Sequence, residues 1–154
     1  MDQHSKFLER LDKSRGPVFW VAEYLHKAGF TVTVPATRYA PTAKDHPDYV
    51  DNGDIIAVKG NETHKIEVKR IFREFKDLAS WPFPVVFISN VATVDRANNS
   101  VTAYVVLNGD MTHMAVIWAK KKDNWKKIQR VARNTNNPEW YYCCDPKQVD
   151  FREL

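Results

Sequence analysis

The stretch "DNGDIIAVKGNETHKIEVKRI", residues 51–71, decides how this chain begins its sheet. It contains two runs that are rich in β-branched residues, 54–60 and 63–71. The letters Gly-Asn-Glu join these runs, and such a short polar sequence with a glycine is typical of a tight turn. The pattern therefore predicts an antiparallel β-hairpin over these residues.

The charged residues of this hairpin are predicted to share one face. Side chains alternate across a strand, so Ile66 and Val68 point one way while Glu67 and Lys69 point the other, about 7 Å apart. Asp54 opens the first strand and can approach the same face from the loop end. An isolated Glu-x-Lys is usually a solvated ion pair, but the nearby Asp54 favours a metal-binding site.

Two carboxylates and a lysine in this arrangement suit phosphodiester chemistry. Mg²⁺ prefers oxygen ligands, with one or two carboxylates and several waters. Asp54 and Glu67 can supply the carboxylates, and the carbonyl of Val68 can supply another oxygen. Lys69 can orient or deprotonate the attacking water, or stabilise the charge on a phosphate. We therefore expect Mg²⁺-dependent hydrolysis of a phosphodiester bond.

The segments around the hairpin alternate between helical and strand patterns. A helix is predicted over 17–29, where apolar residues recur at helical spacing and Gly29 ends it. A strand over 30–35 and a long loop over 36–53 follow. The remaining segments are predicted as a short helix or turn, three strands, a basic helix and an extended tail with inward aromatic residues: 72–80, 83–95, 101–109, 112–121, 124–134 and 139–149. This order indicates an α/β fold, with a central mixed sheet flanked by helices.

Composition limits the class of protein. The 154 residues, 44% of them apolar, are expected to form a single domain over residues 1–154. No run approaches the roughly 18 apolar residues of a membrane span, and the charged N-terminus lacks the apolar core of a signal peptide. Cys143 and Cys144 are adjacent and cannot easily bridge each other. We expect a cytoplasmic protein.

Basic residues form two groups in a chain of net charge +4. The first surrounds the hairpin and the second lies in the predicted basic helix and just before it. A solvated surface is the common explanation, but both groups suit sequence-independent phosphate contacts. The residues expected to contact nucleic acid are Lys65, Arg70, Arg73, Lys121, Lys122, Lys126, Lys127 and Arg130, with Lys120 and Arg133 in the second group.

Other polar residues near the hairpin are expected to be structural. Asp45, Asp48 and Asp51 lie in the preceding loop, where aspartates form turns. A contact of one of them with a second metal ion is an alternative. His46 and His64 are expected at the surface rather than as general bases.

Asp54, Glu67 and Lys69, with Gly53 in place of a proline, resemble the signature of the PD-(D/E)XK nuclease superfamily. The preceding "HKAGFTVTVPATRYAP", residues 26–41, resembles the run that leads into this signature in small archaeal-type Holliday junction resolvase-like nucleases. The resemblance covers about residues 17–70, a third of the chain.

This resemblance implies a restriction-endonuclease-like core, dependence on Mg²⁺ or Mn²⁺, and cleavage of DNA or, less often, RNA. It implies metal ligation by Asp54, Glu67 and the Val68 carbonyl, with Lys69 assisting the attacking water. The family often adds a Glu from the first helix. Glu23 is the candidate here, although it lies closer to Gly29 than the family pattern has it.

Three functions therefore remain in view. The first is a metal-dependent DNA endonuclease, which could act as a homodimer when it cuts two strands. The second is a nucleic-acid-binding or assembly protein that retains the fold without catalysis. The third is a metal-dependent RNA nuclease.

Overall fold

The computed structural model describes residues 2, 4–6, 9, 15–36, 38–45, 53–131 and 136–154. Two α-helices lie within residues 15–131, α1 (Arg15–Lys27) and α2 (Val91–Arg96), and two 3₁₀ helices cover Ala119–Asn124 and Pro146–Gln148. The strands are β1 (Thr31–Thr33), β2 (Ile55–Lys59), β3 (Glu62–Arg70), β4 (Val86–Asn90), β5 (Ala103–Leu107), β6 (His113–Trp118), β7 (Lys126–Val131), β8 (Pro138–Cys144) and β9 (Asp150–Glu153).

The strands form two sheets. The larger is six-stranded, in the order β1-β2-β3-β5-β6-β9, and is mixed because β3 and β5 run parallel while its other pairs are antiparallel. The smaller has the antiparallel order β4-β8-β7. The prediction of an α/β fold with a mixed sheet is confirmed.

The predicted hairpin is also confirmed, as β2 and β3. Its register runs from Lys59 opposite Glu62 to Ile55 opposite Ile66. Gly60 opens the turn with a φ of +56°, a conformation that glycine adopts without strain. Local turn chemistry and alternation were therefore enough to place these two strands.

The two faces of the large sheet are covered differently. On one face, α1 packs Val18, Val21 and Ala22 against an apolar layer that includes Ile66 and Val68. On the other face, the small sheet and α2 share a core with β5 and β6, whose members include Tyr104, Val106, Ile117, Val86, Ile88, Val94, Tyr142 and Cys144. The expected helical flank is thus correct for one face, whereas a second sheet supplies most of the other.

Two predicted elements are wrong in type. Residues 124–134 were expected to form a basic helix, but Lys126–Val131 form strand β7, which pairs with β8 from Lys126 opposite Cys143 to Val131 opposite Pro138. Long-range pairing overrides the helical propensity of these lysines. Residues 83–95 were expected to be a strand throughout, but the strand stops at Asn90, whose side chain accepts the Ala92 N–H at 2.8 Å and caps α2.

The tail is extended as predicted up to Cys144, but Pro146–Gln148 form a 3₁₀ helix and the aromatic residues do not all point inward. Tyr142 is buried, whereas Trp140 is 51% exposed. Cys143 and Cys144 are buried free thiols. Across the described ranges, no helix combines the length and apolar character that a membrane crossing requires.

Candidate active site

Asp54 is held against β3 by its backbone and by its side chain. Its N–H donates to the carbonyl of Ile66 at 3.0 Å, and its carboxylate accepts the N–H of Val68 at 2.7 Å. The carboxylate therefore lies beside the residue that separates Glu67 from Lys69. The structure thus fixes the Asp54 carboxylate on the backbone of β3, between the positions of Glu67 and Lys69.

The backbone conformation at residue 53, before Asp54, excludes proline. The φ of Gly53 is +97°, whereas the proline ring fixes φ near −65°. A Cβ at this position would also come within 2.8 Å of the Cγ of Lys65, so that side chain lies over the glycine. The backbone that leads into Asp54 consequently requires glycine, and its conformation differs from the one that a proline would impose.

Glu67 and Lys69 lie on the face of the large sheet that carries Tyr104 and Val106. Their register partners on β5 are these two residues, while Ile66 and Val68 are buried on the α1 face. Both charged side chains are only partly exposed. The prediction that Glu67 and Lys69 share one face is correct, and this face is turned toward the small sheet rather than toward open solvent.

Burial changes the chemistry of Lys69. Loss of hydration lowers the pKa of its ammonium from 10.5 to about 8, while the charge of Glu67 opposes this shift and that of Arg130 adds to it. A lysine with this pKa is partly neutral near physiological pH and can accept a proton. Such a shift is typical of functional lysines, although structural groups show it too.

The oxygen donors fit a hard divalent cation. The N–H and C=O of a strand residue point to the same side, so the Val68 carbonyl is directed toward the side where its N–H meets Asp54. Within the described ranges, no group of three or more His, Cys, Asp or Glu side chains could hold a metal. A metal here would rely on Asp54, Glu67, a carbonyl and water, which is the usual coordination of Mg²⁺ in proteins.

The structure does not bring Glu23 to this site. Glu23 is 58% exposed and pairs with Lys27 on the same helix at 3.1 Å. Helix α1 packs on the face of the sheet opposite to Glu67 and Lys69. The expected third carboxylate thus lies apart from Asp54 and Glu67.

The basic residues around the hairpin each have a defined contact. Lys65 covers Gly53, as described above. Arg70 donates through Nε to the carbonyl of Gly109 at 2.9 Å, and the guanidinium of Arg73 lies 5.3 Å from the centre of the Phe83 ring. Arg70 is the last residue of β3 and Arg73 follows three residues later, so both lie close to Lys69 along the chain.

The second basic group is divided between two elements rather than lying on one helix. Lys121 and Lys122 lie on the 3₁₀ helix Ala119–Asn124, where they contact the Gln148 carbonyl at 3.1 Å and the Asp95 carboxylate at 3.2 Å. The others, Lys126, Lys127 and Arg130, are exposed on β7. Arg133 lies outside the described residues.

Arg130 joins β7 to the candidate site. Its guanidinium lies 4.6 Å from the centre of the Phe87 ring and 5.2 Å from that of Tyr141. Its charge also acts on Lys69, as noted above. The charge of Arg130 therefore contributes to the lowered pKa of Lys69.

Sequence reasoning missed a network on the same side of the sheet. The Tyr142 hydroxyl donates to the Asp95 carboxylate at 2.8 Å, and this bond and the one from Lys122 lower the pKa of Asp95. Burial raises the pKa of Tyr104 to about 12, and the charges of Glu67 and Asp95 add to that rise. Only the fold brings these residues together, so no local pattern could have revealed them.

The other polar residues considered above lie apart from the site or outside the described residues. His64 lies on β3 and points to the same face of the sheet as Ile66. Its ring is partly buried between Phe30 and Trp118, with its centre 5.9 Å from that of each ring. The expectation of a surface histidine is therefore corrected. Asp45 caps a local turn through Thr42, at 2.8 Å from its hydroxyl. His46, Asp48 and Asp51 lie outside the described residues.

Comparison with protein-family models, curated proteins and solved structures gives no match.

Proposed function

We propose that this chain is a Mg²⁺-dependent nuclease that hydrolyses phosphodiester bonds in DNA as an endonuclease, on a restriction-endonuclease-like core. The observation that supports the proposal is the 2.7 Å bond from the Val68 N–H to the Asp54 carboxylate, which fixes that carboxylate on the backbone of the residue between Glu67 and Lys69. The order of α1, β1 and the β2–β3 hairpin, followed by a strand parallel to β3, supports the proposed core.

Each residue has a distinct role in this proposal. Asp54 and Glu67 bind the metal with the Val68 carbonyl, and the Val68 N–H orients the Asp54 carboxylate. Lys69 accepts a proton from the attacking water or holds it in line with the phosphate. When bound, Mg²⁺ or Mn²⁺ would polarise a phosphoryl oxygen and lower the pKa of water.

Two features of the site favour this chemistry over a simple ion pair. The bond from Val68 restricts Asp54 before any ligand arrives, so less conformational freedom is lost on binding. Burial keeps Lys69 partly neutral near pH 8, whereas a solvated lysine would remain fully protonated there.

A second function, a nucleic-acid-binding protein without catalysis, is favoured by one observation. Glu23 pairs with Lys27 on the other face of the sheet, so the carboxylates of the site number two. Such a protein would bind DNA as well with Mg²⁺ as with EDTA, and would leave it intact in both.

The test is cleavage of supercoiled plasmid, linear duplex DNA, single-stranded DNA and RNA in Mg²⁺, Mn²⁺ or EDTA. We expect metal-dependent cleavage of DNA that Glu67→Gln abolishes. Glu62→Gln is the matched control, because Glu62 lies on the same strand at the exposed turn end. Intact substrates with the wild-type chain in both metals would overturn the nuclease, and retained binding would then support the second function.

A further inference from the structure

Two arginine–aromatic pairs lie at the carboxyl end of β3, directly after the candidate site. The guanidinium of Arg70 lies 4.9 Å from the centre of the Phe72 ring, and that of Arg73 lies 5.3 Å from the centre of the Phe83 ring. Phe72 is 84% exposed, the highest value among the large apolar side chains of the described residues. An aromatic ring so fully exposed buries little apolar area on folding, and it is accessible to a ligand.

Gly109 links the side chain of Arg70 to the backbone of Arg73. Arg70 donates through Nε to the Gly109 carbonyl at 2.9 Å, and the Gly109 N–H donates to the Arg73 carbonyl at the same distance. The Arg70 guanidinium is consequently fixed over Phe72 before a ligand arrives. A ligand that uses this surface therefore loses less side-chain freedom on binding.

We propose that these two pairs bind a single-stranded segment of nucleic acid, with unpaired bases stacked on Phe72 and Phe83 and phosphates contacted by Arg70 and Arg73. The delivery of that strand to Asp54, Glu67 and Lys69 rests on the proposed nuclease function, whereas the binding itself does not. Bases in a duplex hide their faces in the stack, while an unpaired base can stack on an exposed ring.

The charge around these pairs is nearly balanced, so we expect base stacking, rather than charge, to favour a single strand over a duplex. Arg70, Arg73 and Lys76 are opposed within the same connection by Glu74 and Asp77. A nearly balanced surface attracts any polyanion only weakly, so it would not favour duplex DNA on charge alone. An exposed ring beside a guanidinium offers a flat apolar surface together with a phosphate donor, which suits a single strand.

The distance to the candidate site suits one bound strand. Phe72 follows Lys69 by three residues, which corresponds to about 10 Å of extended chain. Phe83 contacts Trp81 edge-on at 5.8 Å, and Trp81 packs on the core between the two sheets, the side that carries Lys69. Phe83 therefore lies near the side of the large sheet that carries Glu67 and Lys69.

The test measures binding without cleavage, in the Glu67→Gln background with EDTA. Fluorescence anisotropy compares a labelled single strand with a duplex of the same sequence. We expect Phe72→Ala to weaken single-strand binding by about 5- to 100-fold, as the loss of one stacked base does, and to leave duplex binding unchanged. Phe72→Trp should restore the affinity for the single strand.

Phe19→Ala is the matched control. Phe19 is also an exposed phenylalanine, at 59%, but it lies on α1 against the other face of the sheet. It should leave both affinities unchanged, and circular dichroism with thermal melting verifies that each variant is folded.

The outcomes separate this inference from the nuclease proposal. Unchanged single-strand binding in Phe72→Ala, an equal loss for duplex, or an equal loss in Phe19→Ala would overturn the inference, whether or not the wild-type chain cleaves DNA. A selective loss with Phe72→Ala in a chain that cleaves nothing would support the binding surface and overturn only the nuclease.

Discussion

Strands β3 and β7 both carry cations, and they differ in what surrounds them. On β3, Lys69 is partly buried beside Glu67, and its pKa falls to about 8 because hydration is lost. On β7, an edge strand of the small sheet, Lys126 and Lys127 are exposed. An exposed lysine costs little to place at a surface, whereas burying a charged lysine destabilises the fold, and a functional role is one reason for a protein to keep it. The comparison therefore predicts catalysis on β3 and, at most, substrate attraction on β7.

Among the cations of β3 and β7, the largest expected effect is that of Lys69→Met on cleavage. If Lys69 accepts a proton from the attacking water, its loss lowers the rate by about 10²- to 10⁴-fold. Single-turnover cleavage with saturating enzyme measures this rate separately from binding. Lys76→Met, at an exposed lysine in the following connection, is the control and should keep the wild-type rate.

The sequence predicted β3 better than β7 for a physical reason. The β2–β3 hairpin depends on residues that are close in the sequence. These are the alternating apolar side chains, the turn, and Gly60, whose positive φ favours glycine. Strand β7 depends on pairing with β8, and lysine and arginine have good helix propensity until that partner is known.

The same reason explains the outcome at the candidate site. Alternation alone placed Glu67 and Lys69 on one face, because side-chain direction in a strand is a local property. Which face α1 would cover is a property of packing, so Glu23 could not be excluded from its spacing. The arginine–aromatic pairs likewise depend on contacts between distant segments, as when Arg70 meets Gly109.

The next effect concerns stability and charge at Asp54. In Asp54→Ala the Val68 N–H loses its acceptor, which should lower the free energy of unfolding by about 1–3 kcal/mol. Asp54→Asn keeps an acceptor oxygen but not the charge, so it should remain close to wild-type stability and still lose metal-dependent cleavage. Urea unfolding and the cleavage assay measure the two properties. Equal destabilisation by both substitutions would contradict the structural role of the bond.

The buried state of Lys69 can be tested without metal through the pH dependence of stability. Its folded pKa, about 8, lies below its usual value of 10.5, so the unfolded chain binds more protons between these values. The cost of burying the charge is fully present below pH 8, and stability from this group rises as the pH increases toward 10.5. The slope cannot exceed about 1.4 kcal/mol per pH unit for one proton.

The tyrosines and cysteines whose pKa is raised act in the opposite direction, and a comparison of two variants must remove their contribution. Burial raises the pKa of Tyr104 and of Cys144 to about 12 each, so both groups favour unfolding as the pH rises. The difference between wild type and Lys69→Met, measured by urea unfolding in EDTA, isolates the lysine. Parallel curves from pH 8 to 10 would show that Lys69 is as solvated as the lysines of β7.

The smallest expected effects belong to β7 itself. If Lys126 and Lys127 contact phosphates, each alanine substitution should weaken duplex and single-strand binding alike, and should reduce the slope of log K against log salt by about 1. The rate at saturating enzyme should not change. Because Lys127 also lies 5.6 Å from the centre of the Tyr142 ring, Lys126→Ala is the cleaner variant. A salt slope equal to that of the wild type would mean that the cations of β7 are merely solvated, and the nucleic-acid contacts would then belong to the surface around β3.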